Sequence, residues 1–293
     1  MMTYHIIHNP FAKRGGSKLS LSAFIEILEA RGLRYVLHTT EGPRHATRLV
    51  AELCENADDN SIIVIIGGDG TVFECINGDK GRGVANFGLI PGGTGNDVAR
   101  VLNIPENTAQ AAEKLLSGQL RPIDTIHIKD AGLSATLFIS YGIAAQMVLA
   151  MLDFKTRNKL SYMKSLLQGI FTYKAKAYEV IVDGESRKVL ADFCSVHNST
   201  YAGGGMHLVE GAEMDDGLLE LLIVEHRGKG RRMLNLLSIL RKVLYKQPNV
   251  TISRVKQVTI ISPDDKLCCL DGEIVHLNKL EIEVLHHSTK FMR

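Results

Sequence analysis

The residues best suited to chemistry stand in three glycine-rich stretches. They are Asn9-Pro10-Phe11-Ala12-Lys13-Arg14-Gly15-Gly16, Gly67-Gly68-Asp69-Gly70-Thr71 and Pro91-Gly92-Gly93-Thr94-Gly95-Asn96-Asp97. Glycine lets backbone N–H groups turn inward on a ligand with no Cβ in the way. A helix that starts at the end of such a loop adds partial positive charge, so each stretch suits an anion such as a phosphate. The carboxylates inside them, Asp69 and Asp97, are either turn and helix caps or carriers of a cation. Neither GxxxxGK[ST] nor GxGxxG is present, so a nucleotide here would be held by another scheme.

Two more acidic turns follow. Glu213-Met214-Asp215-Asp216-Gly217-Leu218 precedes an apolar run, and Asp271-Gly272-Glu273 follows Leu267–Leu270. Asp-Gly is also a common tight-turn pair, so residue types alone leave both open between a solvated turn and a site. Cys268-Cys269 reads as strand packing. His5, His8 and His38 lack the i, i+4 spacing of a metal pair and receive no role.

These residues need elements to position them. Tyr4–His8, Tyr35–His38, Ser61–Ile66 and Asn86–Ile90 have strand character; Leu19–Ala30, Arg44–Ala57, Val72–Asn77 and Val98–Leu102 have helical spacing. This alternation implies a parallel sheet covered by helices, with the three loops at the carboxyl ends of strands, where open α/β sheets bind ligands. From Thr125–Lys129 onward the pattern is β-rich. Strands are expected at Tyr178–Val182, Lys188–Leu190, Asp192–Val196, Leu218–Val224, Val255–Ser262, Leu267–Leu270 and Leu280–Leu285, with helices at Lys159–Phe171 and Lys229–Tyr245. Asp183–Gly184 marks a hairpin.

The second and third loops, with Val98-Ala99-Arg100 after the latter, closely resemble the diacylglycerol kinase catalytic domain, the family of sphingosine, ceramide and soluble bacterial lipid kinases. Asn9-Pro10, Thr39-Thr40 with Gly42 and His45-Ala46, Asp124, Gly203-Gly204-Gly205-Met206, Asp215-Asp216-Gly217-Leu218-Leu219 and Asp271-Gly272-Glu273 extend the resemblance over nearly the whole chain. Phe73 stands where the family often has Asn, and Glu210 where Pro is usual.

The resemblance implies an α/β N-terminal nucleotide-binding domain of the NAD kinase/phosphofructokinase kind over residues 1–125. A β-rich sandwich lipid-acceptor domain would span 126–280, and 281–293 would return to the first domain. It implies ATP held by Asn9, Pro10, Thr40, Gly67, Gly68, Asp69, Gly70, Thr71, Gly93, Thr94, Asn96 and Asp97. Nucleotide Mg²⁺ would be reached by Asp69, Asp97 and Asp124, partly through water, and a structural Mg²⁺ would sit at Glu213, Asp216 and Leu218. Asp271, with Glu273 nearby, would face the acceptor hydroxyl, and either could take its proton. The implied activity is ATP-dependent phosphorylation of a membrane lipid, diacylglycerol foremost. An NAD kinase-like phosphotransferase and a non-catalytic nucleotide- or lipid-binding regulator are the alternatives.

Composition narrows the setting. Over 293 residues, 34 Lys and Arg against 32 Asp and Glu leave a net charge of +2, too little for a global nucleic-acid footprint. Five cysteines without zinc or CxxC spacing fit a reducing compartment. Met1–Gly16 lacks a signal-peptide apolar run, so a cytoplasmic location is expected. The uncharged run 131–152 is broken by polar residues and reads as a strand, a turn at Gly142 and a helix start. Lys155, Arg157, Lys159, Lys164, Lys174 and Lys176 face only Asp153 in their segment, and Arg231, Arg232, Arg241 and Lys242 mark a second basic helix. Both suit peripheral contact with an anionic membrane. A homodimer stays open.

Overall fold

The computed structural model describes residues 2–12, 17–55, 61–80, 83–152, 171–262 and 266–293. Its first half alternates strand and helix: β1 (Thr3–His8), α1 (Ser17–Ala30), β2 (Arg34–Thr39), α2 (His45–Glu55), β3 (Ser61–Gly67), α3 (Asp69–Asp79), β4 (Asn86–Pro91), α4 (Asp97–Val101) and α5 (Thr108–Ser117). The strands are parallel in the order β2-β1-β3-β4. β3 is apolar along its length and buried from Ile62 to Gly67, as a strand covered on both faces must be. The register sets Ile66 beside His8 on one side and Ile90 on the other, so β1, β3 and β4 end level with one another. That alignment brings the three glycine loops together.

The second half contains β5 (Leu120–Ile128), β6 (Leu133–Ala135), β7 (Phe138–Gly142), α6 (Ile143–Leu152), β8 (Lys176–Val182), β9 (Glu185–His197), β10 (Tyr201–Ala202), β11 (Met206–His207), β12 (Leu219–Glu225), α7 (Lys229–Leu240), β13 (Val250–Val255), β14 (Gln257–Ile261), β15 (Leu267–Leu270), β16 (Glu273–His276) and β17 (Lys279–Met292). Antiparallel ladders join β16-β15-β7-β9-β8-β14-β17, with β12 and β13 branching from β9. A second buried cluster, including Tyr141, Tyr178, Val196 and Leu221, fills this half. β17 ties the halves together. It pairs with β14 and β5, then ends parallel to β4 with Lys290 and Phe291 beside Asn86 and Phe87. β5 runs through residue 125, so a boundary drawn there falls inside a strand.

Several elements depart from the pattern-based expectation. Lys188–Leu190 and Asp192–Val196 are parts of one strand, β9, whose first residues are exposed and polar and so show no apolar alternation. It leaves β8 through Asp183 and Gly184, both at positive φ (51° and 82°), the two-residue turn that Asp-Gly favours. Val255–Ser262 divides at Lys256 into the end of β13 and all of β14. The helix expected over Lys229–Tyr245 stops at Leu240, and Lys242 turns left-handed at φ 59° before a short 3₁₀ turn, Leu244–Lys246. All but Phe171 of the helix expected at Lys159–Phe171 lies outside the described residues, as do Lys155, Arg157 and Lys13–Gly16. No described helix is long and apolar enough to cross a membrane. All five cysteines are buried and none forms a disulfide.

Candidate active site

The parallel register brings the loops level, and glycine lets them touch. The Gly67 carbonyl accepts from the Gly92 N–H at 2.7 Å. A Cβ on Gly93 would fall 2.4 Å from the α-carbon of Gly68, so these backbones meet with no room for a side chain. Asn9 ties the first loop to the second: its Nδ2 donates to Thr71 Oγ1 at 3.0 Å, and its Oδ1 accepts from the Phe11 N–H at 3.0 Å. Pro10, beside it, is half-buried. Thr40 is buried at the end of β2, its N–H donating to the His8 carbonyl at 2.8 Å. α3 starts at Asp69 with no side chain capping it, so its first-turn N–H groups are those of the loop itself. Asn96 serves the third loop from within: its Oδ1 accepts from the Gly93 N–H at 2.9 Å and its Nδ2 donates to the Gly93 carbonyl at 3.2 Å. The polar groups of Asn96 thus close the loop, and Thr94 is exposed on the rim.

Asp69 and Asp97 lie where the loops meet. Asp69 Oδ1 accepts from the Val98 N–H at 3.0 Å, and Oδ2 faces Gly95, where a Cβ would come within 2.9 Å. Burial raises its carboxyl above the ordinary value; the Asp97 charge adds to this, and the Val98 N–H opposes it. Asp97 pairs with Arg100 through Oδ1, and its Oδ2 accepts from the Gly204 N–H at 2.6 Å. Arg100 donates to the Gly95 carbonyl at 3.1 Å, and a Cβ on Gly205 would lie 3.2 Å from its Cζ. Gly203, Gly204 and Gly205 all have positive φ, which explains three glycines in a row. The third loop is therefore fastened to the β-rich half.

The turn Asp271-Gly272, at φ 50° and 95°, reverses the chain between β15 and β16. The strand does not continue, so Asp271 and Glu273 do not share a side as alternation would require. Asp271 is buried. Its Oδ1 accepts from the N–H groups of Leu137 and Phe138 at 2.9 Å each, and its Oδ2 from that of Thr136 at 2.5 Å. Burial pushes its carboxyl up to about 6 against the pull of those three donors. Glu273 is exposed, and its Oε1 lies 2.8 Å from where a Cβ on Gly70 would be. Of the two carboxylates expected at the acceptor hydroxyl, Asp271 anchors the start of β7 and Glu273 reaches the second glycine loop.

Asp124, on β5, is fully buried and bonded to the acidic turn. Its Oδ2 accepts from the Gly217 N–H at 2.7 Å, its Oδ1 accepts from the His287 N–H at 2.7 Å and faces His286 Nδ1 at 2.8 Å, and its own N–H donates to the Met214 carbonyl at 2.6 Å. Among the described residues no hydrogen bond joins it to Asp69 or Asp97, the other two expected nucleotide-metal ligands. In the turn, Asp216 accepts from the Leu218 N–H at 3.0 Å and pairs with Arg254, whose Nε lies 3.5 Å from Glu220 Oε1. Burial pushes the Glu220 carboxyl up to about 7; Arg254 opposes this, and Asp216 and Glu213 add to it. Glu220 Oε2 has no hydrogen-bond partner. Carboxylates and carbonyls crowded in this way are the oxygen donor set that Mg²⁺ takes.

Arg254, Asn198, His286 and His287 carry no local signal in the sequence. Asn198 donates to the carbonyls of Asp124 and Thr136, a contact visible only once distant strands pair. Arg232, expected on a basic surface, is buried. It donates to Asp192 at 2.6 Å and to the Tyr173 carbonyl at 3.0 Å, which removes it from that surface.

The fold and site together define a two-part phosphotransferase of the lipid kinase class. Residues 3–128 match the family model of the diacylglycerol kinase catalytic domain, and residues 138–289 match that of the YegS C-terminal NAD kinase beta sandwich-like domain; the chain belongs to this diacylglycerol kinase-like family. Relatives named "Putative lipid kinase" from Staphylococcus aureus strains JH9 and Newman are 27% identical over 248 residues, covering 80% of this chain and 78% of theirs. The crystal structure of a diacylglycerol kinase from Bacillus anthracis str. Sterne superposes with a TM-score of 0.80 at 24% identity, over 99% of this chain and 96% of that one. That likeness shows the shared fold.

Proposed function

We propose that the protein transfers the γ-phosphoryl group of ATP to a hydroxyl of a membrane lipid, with diacylglycerol, yielding phosphatidic acid, as the leading acceptor. The observation that carries this reading is the approach of Glu273 to Gly70, which sets a carboxylate against the phosphate-binding candidate loop. Phosphoryl transfer asks a protein mainly for positioning and charge stabilisation. Bound ATP supplies the phosphoryl group, and Mg²⁺ neutralises its oxygens.

The residues fit both. Gly68 and Gly70 offer backbone N–H groups at an uncapped helix start, in a cradle that side chains would fill, and Thr71, whose N–H donates to the Gly68 carbonyl at 2.9 Å, adds its hydroxyl. Asn9, Pro10, Gly67, Thr40 and Gly93 frame it. Burial makes ionised Asp69 costly, and a nearby cation relieves that cost; Asp97 stands beside it. Glu273 orients the acceptor hydroxyl and receives its proton late in the transfer. Asp271 holds β7 in place and so acts by positioning. A structural Mg²⁺ at the turn takes the Asp216 carboxylate with oxygens of Glu213 and Leu218.

The acceptor lies in a membrane, so the protein docks there peripherally. On α7, Leu234, Leu237 and Leu240 are 49%, 41% and 58% exposed, among exposed Lys229, Arg241, Lys242 and Lys246. Apolar side chains ringed by cations suit an anionic bilayer on the cytoplasmic side.

The test is incubation with radiolabelled ATP and a total lipid extract. Label is expected in phosphatidic acid and lost with Glu273→Gln. With NAD supplied in place of lipid, label in NADP would support the NAD kinase-like alternative, and nucleotide binding without turnover would support the regulator.

A further inference from the structure

The pairing of β17 with β5 slips register between Leu285 and Thr289. This bulge sets His286 and His287 side by side with ring centroids 3.7 Å apart, His287 in the left-handed region at φ 54°. Asp124 lies against them from β5, wholly buried. One ligand-type atom from each of the three residues lies within 4.8 Å of the other two. We propose that Asp124, His286 and His287 form a binding site for a divalent transition cation of the Zn²⁺ class, separate from the Mg²⁺ proposed at the Glu213–Leu218 turn.

Donor chemistry separates the two. Imidazole nitrogens favour Zn²⁺ and its first-row neighbours, whereas Mg²⁺ takes oxygens and keeps its waters. The first ligands are also pre-oriented. The Gly217 N–H holds Asp124 Oδ2 at 2.7 Å, and the His287 backbone N–H holds Oδ1 at 2.7 Å. His287 Nε2 lies 3.2 Å from the Asp215 carbonyl, the kind of outer contact that fixes the opposite ring nitrogen for a metal. The His286 ring lies against Gly217, which is left-handed at φ 74° and where a Cβ would come 3.2 Å from Nδ1 and press on the ring.

The His286–Asp124 distance requires little adjustment: Nδ1 and Oδ1 are 2.8 Å apart. Tetrahedral Zn²⁺ with bonds of about 2.0–2.1 Å sets ligand atoms about 3.3 Å apart, so a cation opens this pair by roughly half an ångström. The His286 side chain is 51% exposed, which gives the cation a way in and leaves room for water as a further ligand. A cation here would clamp β5, the acidic turn and the β17 bulge, the segments that join the two halves.

The test uses the untagged full-length chain, stripped with chelator and desalted, then titrated with Zn²⁺, Co²⁺ and Mg²⁺. About one equivalent of Zn²⁺ should survive gel filtration, and Co²⁺ should give a visible absorption band. His286→Gln and His287→Gln should each weaken Zn²⁺ by at least about ten-fold, while Asp216→Asn keeps it. Melting in chelator shows that the variants are folded; Asp124 itself is too buried to be a clean variant. The proposal is overturned if the wild type retains no Zn²⁺. Equal Zn²⁺ binding by the wild type and a folded double histidine variant overturns it too, as does loss of Zn²⁺ with Asp216→Asn alone.

Discussion

Asp271 and Glu273 are two residues apart, yet their carboxylates serve opposite partners: Asp271 accepts from three backbone N–H groups of the segment Thr136–Phe138, and Glu273 lies against Gly70. The left-handed turn at Asp271-Gly272 separates them, because a reversed chain sends the second side chain toward the loops. A buried acceptor with three donors holds structure, and an exposed carboxylate at the cradle can meet a hydroxyl.

The two variants should therefore fail differently. Glu273→Gln should lower kcat by about 10²–10⁴-fold with a smaller change in melting temperature than Asp271→Asn, since it removes a base that is exposed. Asp271→Asn turns an amide N–H toward backbone N–H groups and should cost about 1–3 kcal/mol of stability. Steady-state kinetics and thermal melts separate them; a stable Asp271→Asn with no turnover beside a fully active Glu273→Gln would reverse the roles.

Stability should also carry the Asp271 titration. Its carboxyl sits at about 6 in the fold against an ordinary 3.8, so between those values the folded chain holds a proton that the unfolded chain has lost. That contribution is complete below about pH 4 and is lost as pH rises through about 6. The melting temperature of the wild type minus that of Asp271→Asn should widen as pH falls from about 7 to about 4. A gap that narrows instead would mean that the three N–H donors outweigh burial.

The three loops are readable in the sequence because three glycine-rich stretches each follow a strand-like run, and the parallel register does the rest. Asp271-Gly272 is readable as a turn, but the direction of the following carboxylate is not, since alternation assumes a strand that continues. Arg232 looks like a surface cation until Asp192, 40 residues away, is folded against it. The β17 bulge that exposes His286 and His287 depends on pairing with β5, more than 150 residues earlier in the chain, and local patterning does not encode it.

The glycines of the cradle should differ in what they protect. At Gly70 a Cβ meets only the end of the Glu273 side chain, so Gly70→Ala should fold and bind ATP more weakly. At Gly93 it meets the backbone of Gly68 at 2.4 Å, so Gly93→Ala should cost about 1–3 kcal/mol of stability. Calorimetric ATP titration beside thermal melts checks both; a Gly70→Ala protein with unaltered ATP affinity would remove the loop from the site.

Asp216 should make stability depend on Mg²⁺. A ligand that binds only the folded state raises the melting temperature as its concentration rises. Wild-type melting should increase with Mg²⁺, and Asp216→Ala should melt lower and lose that dependence. Its pairing with Arg254 predicts part of the loss even in chelator. Identical wild-type melting in Mg²⁺ and in chelator would leave the turn without a metal.

Helix α7 should carry the contact with the membrane. Residues 234, 237 and 241 recur at helical spacing on one exposed stripe, with Leu240 beside them, while Leu236 and Arg232 face inward. Core packing therefore does not explain the exposed leucines. Near an anionic bilayer each Lys or Arg gains about 1 kcal/mol, and that gain decays within a Debye length. Inserted leucines add a part that salt does not screen. Binding to vesicles should then have two separable components. Replacing Arg241 and Lys242 with Gln should remove most of the dependence on anionic lipid and on salt. Leu237→Ser with Leu240→Ser should weaken binding at every salt concentration and leave the salt slope in place. Sedimentation with vesicles of graded phosphatidylglycerol content, at low and high salt, reads both. If binding ignores lipid charge and salt, and the leucine variants sediment like the wild type, α7 is not the docking surface.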